Sequence, residues 1–290
     1  MTGERPGKTL LLIAERFPPD LGGVSRSAFR TARAIAALGW QVHVLAWTKS
    51  LAPGTIETSI DEDKEDNIQP GRMAVHRLGL FSNWDFSLQH SLNVLEWLHE
   101  KFQFNLVWGH YVYPAGYLAV VFGESIGIPS TVSARGNDID RLMFPPGDFA
   151  RLMWSLDRAT AVSCVSHDLS RKVKMLLGKP IECALLPNVV NADVFHPATD
   201  QANDELREAL GISSQEAILG FCGELRHKKG LPFLLSALLE VQQDRPACLL
   251  VIGEVRPREQ VHLATFAGEH PQAAERILVT GHLENPTDVA

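Results

Sequence analysis

The chain has 290 residues, of which 45% are hydrophobic and 21% are charged, and its formal net charge is −7 at pH 7. These values are typical of a folded protein with a sizeable core, and they exclude a globally disordered chain. The acidic balance argues against a nucleic-acid-binding protein, whose binding domain is usually basic. The length is sufficient for about two domains.

Short apolar runs alternate with longer amphipathic segments through the first part of the chain. The pattern predicts strands at residues 9–15, 41–47, 73–78, 106–109, 129–133, 160–165 and 181–186. It predicts helices at residues 24–38, 85–102, 113–125, 149–157 and 168–177, and a solvated acidic loop at 61–66. This alternation indicates a parallel sheet that is covered by helices on both faces.

A polar stretch at residues 196–203 interrupts the alternation and contains Pro197, so we place a domain boundary after that residue. The pattern then resumes, with strands predicted at 217–222, 247–252 and 276–280 and helices at 231–241 and 259–268. We therefore expect two α/β domains, residues 1–197 and 198–290. The second is expected to be incomplete, because about 90 residues is shorter than a typical domain.

No segment has the pattern of a membrane span or a secretory signal. The apolar run at residues 9–14 is too short for a signal-peptide core, and no run approaches the ~18 residues that span a bilayer. We therefore expect a cytoplasmic protein, and peripheral contact with the inner face of the membrane stays open. The cysteines have no metal-binding spacing, so we expect reduced, buried thiols and no metal site; they are Cys164, Cys183, Cys222 and Cys248.

In open parallel sheets, ligands bind beyond the carboxyl ends of the strands, so the residues that follow each strand are the candidates for a site. Gly22 and Gly23 precede the first predicted helix. They form either a phosphate-binding turn at the helix N-terminus or a flexible turn that only begins the helix. His110 follows the strand at 106–109, and it is either a group that binds a sugar or transfers a proton, or a structural histidine.

A polar turn follows the strand at 129–133. Arg135, Asn137 and Asp138 surround Gly136 there and offer a cation, an amide and a carboxylate. Such a set suits a polyhydroxylated or anionic ligand. Glycine, asparagine and aspartate also favour an ordinary turn, so both interpretations stay open.

The predicted second domain contains a basic loop bounded by glycines. Gly223 follows the strand at 217–222, and Arg226, Lys228 and Lys229 come before Gly230 and a leucine-rich helix. Cations at the start of a helix can neutralise a diphosphate, and a solvated loop is the alternative. The loop lacks the GxxxxGK[ST] pattern, so an ATPase is not predicted.

These motifs occur in an order that resembles a known family. The series comprises Gly22-Gly23, His110, the Gly136–Asp138 turn, Pro187-Asn188 with Phe195-His196-Pro197, and Gly223-x-Leu225-x-x-x-Lys229-Gly230. Together they resemble the retaining GT-B glycosyltransferases of family four (glycosyl transferases group 1), over essentially the whole chain. The resemblance implies two Rossmann-like domains that face each other across a cleft, the first binding mainly the acceptor and the second binding a sugar nucleotide.

The implied activity is transfer of a hexose from a nucleotide-diphosphate sugar to a saccharide or lipid-linked acceptor, with retention. The implied donor-binding residues are Gly22, Gly23, Gly223, Arg226, Lys228 and Lys229, with His110 as the catalytic residue near the donor sugar. The candidate acceptor-binding residues are Arg135, Asn137 and Asp138. No metal or other cofactor is implied, because basic side chains and helix termini stabilise the departing diphosphate.

The chain departs from the family pattern at several positions. Glu224 stands where many members have an arginine, Arg135 stands where a histidine often precedes the glycine, and the turn after Pro187 lacks its usual glycine and acid. The family's later segment, with two glutamates and glycines, does not follow. We therefore expect a C-terminally truncated member whose own activity is open.

Two other functions were weighed against this one. The first is a non-catalytic binding or assembly subunit that a partner chain completes. The second is a dinucleotide-dependent oxidoreductase, which is disfavoured because no GxGxxG motif follows the first strand. The donor sugar, the nucleotide base, the acceptor and the oligomeric state are not predicted.

Overall fold

The computed structural model describes residues 8–20, 22–60, 73–142, 146–283 and 289 of the chain. The chain divides into two compact units, Met1–Asn188 and Val189–Ala290. The boundary proposed after Pro197 lies a little beyond this division, in an irregular segment that precedes the first helix of the second unit. The acidic run at 61–66 lies outside the described residues.

The first unit is a large sheet with helices on both faces. Its strands are β1 (Thr9–Ala14), β2 (Gln41–Thr48), β3 (Ile56–Ile60), β4 (Met73–Gly79), β5 (Leu106–His110), β6 (Ser130–Ala134), β7 (Ala161–Cys164) and β8 (Cys183–Leu185). Its helices are α1 (Gly23–Ala37), α2 (Trp84–Phe102), α3 (Tyr117–Ile126), α4 (Asn137–Leu142), α5 (Pro146–Arg158) and α6 (His167–Leu177). The strand order is β3-β4-β2-β1-β5-β6-β7-β8, and only β3 is antiparallel to its neighbour. The predicted α/β class with a parallel sheet is confirmed.

Strand β1 lies at the centre of this sheet and is buried along its whole length. Its alternate side chains pack on opposite faces, because successive residues of a strand point to opposite sides. Leu11 and Ile13 pack with residues of α2 and α3, whereas Leu10 and Leu12 pack on the side of α1. Helix α1 contacts the sheet through small side chains spaced four residues apart, Ala28, Ala32 and Ala36.

The predicted helix at 113–125 is wrong over its first residues. Residues Val112–Gly116 form a separate π-type turn in which Tyr113 has a non-helical conformation, and α3 begins only at Tyr117. The end of this turn approaches β5 closely, since a Cβ on Gly109 would lie 2.3 Å from the Cα of Gly116. The turn therefore packs directly on the backbone of β5, a contact that periodicity does not reveal.

The second unit contains a smaller parallel sheet. Its elements are α7 (Asp200–Ala209), β9 (Ala217–Cys222), a 3₁₀ turn (His227–Lys229), α8 (Leu231–Asp244), β10 (Ala247–Ile252), α9 (Pro257–Glu269), α10 (Pro271–Ala274) and β11 (Ile277–Gly281). The strand order is β11-β10-β9. Leucines of α8, including Leu231, Leu235 and Leu238, pack on β10 to form the core.

Two sequence predictions concern the membrane and the cysteines. Among the described residues, no helix combines the length and the hydropathy that crossing a bilayer requires. Cys164 and Cys248 are buried free thiols and Cys183 is half-buried, but Cys222 is exposed at the end of β9, so the prediction of four buried thiols is wrong there.

Candidate functional site

The strand ends that carry the candidates in the first unit are neighbours in the sheet. β1 pairs with β5, with Ala14 opposite His110, and β5 pairs with β6, with His110 opposite Ser133. The loops that leave these three strands therefore emerge side by side at the same edge. The sheet brings together the glycine turn before α1, His110 and the Arg135–Asp138 turn.

His110 is the last residue of β5 and its side chain is fully buried. Its Nε2 lies 2.8 Å from Oγ of Ser27 on α1, and Ser27 Oγ donates to the carbonyl of Val24 at 3.0 Å. With the hydroxyl proton used there, Nε2 carries the imidazole proton and donates to Ser27, which leaves Nδ1 as an acceptor. Nδ1 has no hydrogen-bond partner among the described residues.

The imidazole of His110 is held neutral. Burial lowers its pKa from 6.5 to about 3, and the positive charge of Arg135 adds to this effect. A neutral imidazole can donate or accept a hydrogen bond, but it is not a proton carrier near neutral pH. In this structure the side chain exposes no surface to a ligand.

The glycines before α1 leave the start of that helix open. Gly22 is the N-cap residue and has φ +127°, a conformation that favours glycine. In the described part of this turn, no side chain caps the helix and no acidic residue lies in the first turn. The first N–H groups of α1 therefore keep their partial positive charge.

In the Arg135–Asp138 turn, the acid faces inward. The carboxylate of Asp138 is buried and accepts hydrogen bonds from the backbone N–H groups of Val112, Arg135 and Gly136 at 2.8–3.2 Å. Burial raises the pKa of this carboxyl, and the backbone N–H groups oppose the rise. Asp138 thus ties the loop after β6 to the turn after β5, and its geometry is that of a loop-holding residue.

The remaining polar groups of this turn are closer to solvent. Arg135 is half-buried, and its Nη2 donates to the side-chain oxygen of Asn188. Asn137 is exposed at the first position of α4. The sequence analysis gave Asn188 no side-chain role beyond its place in the motif series, and it missed Ser27. These contacts have no local signal, because the partners lie 53 and 83 residues away.

The second unit carries the basic loop, which has glycines at both ends. Gly223 has φ +129°, and Gly230 has φ +76° at the N-cap of α8. Between them the chain makes the 3₁₀ turn, on which Lys228 and Lys229 are exposed, and Arg226 is half-buried at its start. The exposed cations therefore precede the N-terminus of α8, an arrangement that suits an anion-binding loop and equally a solvated one.

A cavity of about 400 Å³ opens beside this loop. Its lining includes Arg226 and Lys228 from the loop after β9, and Arg256, Arg258 and Glu259 from the loop after β10. Sequence reasoning missed the second loop. The rule that ligands bind beyond strand carboxyl ends would have indicated it if it had been applied to β10 as well as to β9.

Within the described residues, no group of three or more His, Cys, Asp or Glu side chains is placed to hold a metal ion. The cations that follow strand ends in the described residues include Arg135 after β6, Arg226, Lys228 and Lys229 after β9, and Arg256 and Arg258 after β10.

A model of the glycosyl transferase 4-like domain matches residues 22–189, which is more than half of the chain. The chain belongs to this glycosyl transferase family. Among curated proteins it is similar to TuaC of Bacillus subtilis (strain 168), whose name assigns it to teichuronic acid biosynthesis as a glycosyltransferase; the identity is 29% over 150 residues, 51% of this chain and 37% of TuaC. The matched segments span well under half of the curated relatives.

Solved structures of other proteins share the fold. The sucrose-phosphate synthase from Thermosynechococcus elongatus aligns with a TM-score of 0.69 at 15% identity, over 98% of this chain and 72% of that chain. The protein HepE of Anabaena, in complex with UDP and glucose, aligns with a TM-score of 0.68 at 14% identity, over 97% of this chain and 71% of that chain. At these identities the likeness concerns the fold alone, and it agrees with the fold class predicted from the sequence.

Proposed function

We propose that the protein transfers a hexose from a nucleotide-diphosphate sugar to a saccharide or lipid-linked acceptor, with retention. The observation that carries the proposal is the placement of cations, and of the uncapped N-termini of α1 and α8, at strand carboxyl ends in a chain of the glycosyl transferase 4-like family. Binding of UDP and glucose by HepE, which shares the fold, supports a nucleotide-sugar donor. The alternative of a non-catalytic assembly subunit is not favoured by any relative.

The chemistry suits such a site. Glycosyl transfer builds positive charge at the anomeric carbon and negative charge on the departing diphosphate, and preorganised cations lower a barrier of this kind. In the proposal, Gly223, Arg226, Lys228 and Lys229 bind the diphosphate without a metal ion. Gly22 and Gly23, at the open N-terminus of α1 in the first unit, are the remaining residues proposed to bind the donor.

The first unit supplies the acceptor side in this proposal. Arg135 and Asn137 are accessible to a polyhydroxylated acceptor, and Asp138 holds the loop that carries them. His110 acts as a neutral hydrogen-bonding group, because burial lowers its pKa to about 3. We therefore expect the rate to show no titration of His110 between pH 5 and pH 8.

Calorimetric titration with UDP, GDP, UDP-glucose and GDP-mannose tests the donor assignment. We expect one nucleotide series to bind, and Lys229→Ala to weaken binding about 10- to 100-fold, since a hydrogen bond to a charged group is worth about 1.5–3 kcal/mol. Lys174→Ala, at an exposed lysine of α6, is the matched control and should bind as the wild type does. Absence of binding to all four compounds would overturn the proposed function.

A further inference from the structure

The loops that follow β9 and β10 are joined into one platform by backbone hydrogen bonds. Leu225 N–H donates to the carbonyl of Glu254 at 2.8 Å, and Arg256 N–H donates to the carbonyl of Leu225 at 3.1 Å. Leu225 and Val255 form a parallel bridge beyond the strand ends. The parallel pairing therefore continues into the loops and places the residues around Glu224 beside those around Arg256.

Two residues, Gly253 and Leu225, allow the loops after β9 and β10 to pair in this way. Gly253 has φ +137°, and a Cβ at this position would lie 2.3 Å from the carbonyl oxygen of Gly223. Only glycine lets the two loops approach this closely. The side chain of Leu225 is fully buried in the core of the second unit and attaches the paired loops to that core.

Glu224 lies between two arginines on this platform. Its Oε1 accepts a hydrogen bond from Arg256 Nε at 2.5 Å, and its Oε2 lies 3.7 Å from Arg226 Nη1. The bond from Arg256 lowers the pKa of the Glu224 carboxyl, so the group is ionised at neutral pH. A fixed carboxylate beside two guanidiniums restricts both, because each long side chain would otherwise sample many rotamers.

The arginine heads remain available to a ligand. The Arg226 and Arg256 side chains are 42% and 55% exposed, and both line the cavity of about 400 Å³. Among the described residues, Nε is the only atom of the Arg256 guanidinium that is hydrogen bonded, which leaves its Nη groups for acceptor oxygens.

The charge balance of the cavity favours an anion. Among the described residues at the cavity, three guanidinium groups, Arg226, Arg256 and Arg258, outnumber two carboxylates, Glu224 and Glu259. A net positive cavity with two guanidinium groups on neighbouring loops matches two linked phosphates, because guanidinium groups bind phosphate oxygens in a bidentate manner.

We propose that Arg256 and Arg226 together bind the diphosphate of the nucleotide-sugar donor, and that Glu224 is the positioning residue that holds both arginines. This inference rests on the proposed function and adds to it a second phosphate-binding loop. The ligand class is a diphosphate, either free or esterified to a nucleoside.

Calorimetry with inorganic pyrophosphate, UDP, GDP, uridine and guanosine tests the arginines. Arg256→Ala should weaken pyrophosphate and nucleoside-diphosphate binding by about 10-fold or more, since it removes charge-assisted hydrogen bonds, and should leave nucleoside binding unchanged. Arg245→Ala is the matched control, because Arg245 is an exposed arginine that precedes β10 at the opposite end of the strand. Equal pyrophosphate affinity in the Arg256 and Arg245 variants overturns the proposal.

Glu224→Ala separates positioning from simple charge neutralisation. The substitution makes the cavity more positive, so electrostatics alone would tighten diphosphate binding. If Glu224 holds the arginines, binding weakens several-fold instead, and Glu224→Gln, which keeps an acceptor for Arg256, restores part of it. Tighter binding by Glu224→Ala, in a variant whose circular dichroism spectrum is unchanged, overturns the positioning role.

The two proposals fail in different ways. If UDP or GDP binds and Arg256→Ala does not weaken it, the further inference fails and the proposed function stands. If pyrophosphate binding depends on Arg256 but none of the nucleotides or nucleotide sugars binds, the anion site stands and the donor assignment fails.

Discussion

Three histidines of the first unit should make its stability depend steeply on pH. His43, His76 and His110 are the buried histidines among the described residues. His43 Nδ1 lies 3.0 Å from His76 Nε2, and His76 Nδ1 lies 2.9 Å from Thr58 Oγ1. Burial lowers the pKa of His43 and His76 to about 4 each, with the neighbouring positive charges as a second cause, and that of His110 to about 3.

The sign follows from proton binding. The unfolded chain takes up protons at these histidines near pH 6.5, but the folded unit does so only near pH 3–4. Stability from the neutral histidines is therefore complete above pH 6.5 and is lost as the pH falls towards 4. At about 1.4 kcal/mol per pKa unit, each histidine costs about 2 kcal/mol at pH 5, or about 6 kcal/mol for the three. That is a large part of the ~5–15 kcal/mol of a typical domain.

Urea unfolding followed by tryptophan fluorescence measures this effect in the first unit, because all six tryptophans precede Val189. We expect the free energy of unfolding to fall between pH 7 and pH 5. In the double variant His43→Gln, His76→Gln, the decrease in the free energy of unfolding between pH 7 and pH 5 should be about two thirds smaller, since two of the three buried histidines are removed. His167→Gln, at an exposed histidine, is the control. A pH-independent midpoint, or a wild-type slope in the double variant, would refute the reasoning.

Three further substitutions test packing and hydrogen bonding. Gly253→Ala should destabilise the second unit by about 2 kcal/mol or more in thermal denaturation, because of its positive φ and the contact with the neighbouring loop, whereas Gly268→Ala in α9 has open space and should not. Asp138→Asn should cost about 2 kcal/mol by removing charge-assisted bonds from buried N–H groups, against less than about 1 kcal/mol for Asp140→Asn at an exposed ion pair. Ser27→Ala should lower the free energy of unfolding by about 1–3 kcal/mol because it leaves Nε2 of the buried His110 imidazole unpaired. Ser27→Thr keeps a hydroxyl and should retain most of this stability.

Segments with one dominant pattern were predicted almost residue by residue. The strands predicted at 217–222 and 247–252 coincide with β9 and β10, and the helix predicted at 168–177 differs from α6 by one residue. These segments owe their conformation to local alternation or to an amphipathic face, which the sequence carries directly. Strand β3 was missed, because its side chains are largely exposed and its extended form depends on pairing with β4.

The candidate site was also predicted only in part. The loops that take part follow from the strand ends, so the positions of Gly22, His110 and Arg135 at one edge of the sheet could be predicted. The direction in which a side chain points within a loop could not be predicted. Asp138 faces inward because three backbone N–H groups surround it, and these groups come from two loops that are adjacent only in the fold.

The basic loop shows that the charge available to a ligand has to be counted over all the residues that line the cavity, and not over one segment of the sequence. In the sequence, Glu224 weakens the case for a phosphate site, because an acid interrupts a run of cations. In the structure, this acid meets Arg256, 32 residues later, through the parallel pairing that continues past β9 and β10. The carboxylate accepts a hydrogen bond from the Arg256 guanidinium and lies 3.7 Å from that of Arg226, and in the proposal it positions both. Glu224 reduces the positive charge of its own loop, but in the proposal it supports diphosphate binding at the cavity because the neighbouring loop supplies Arg256 as its partner.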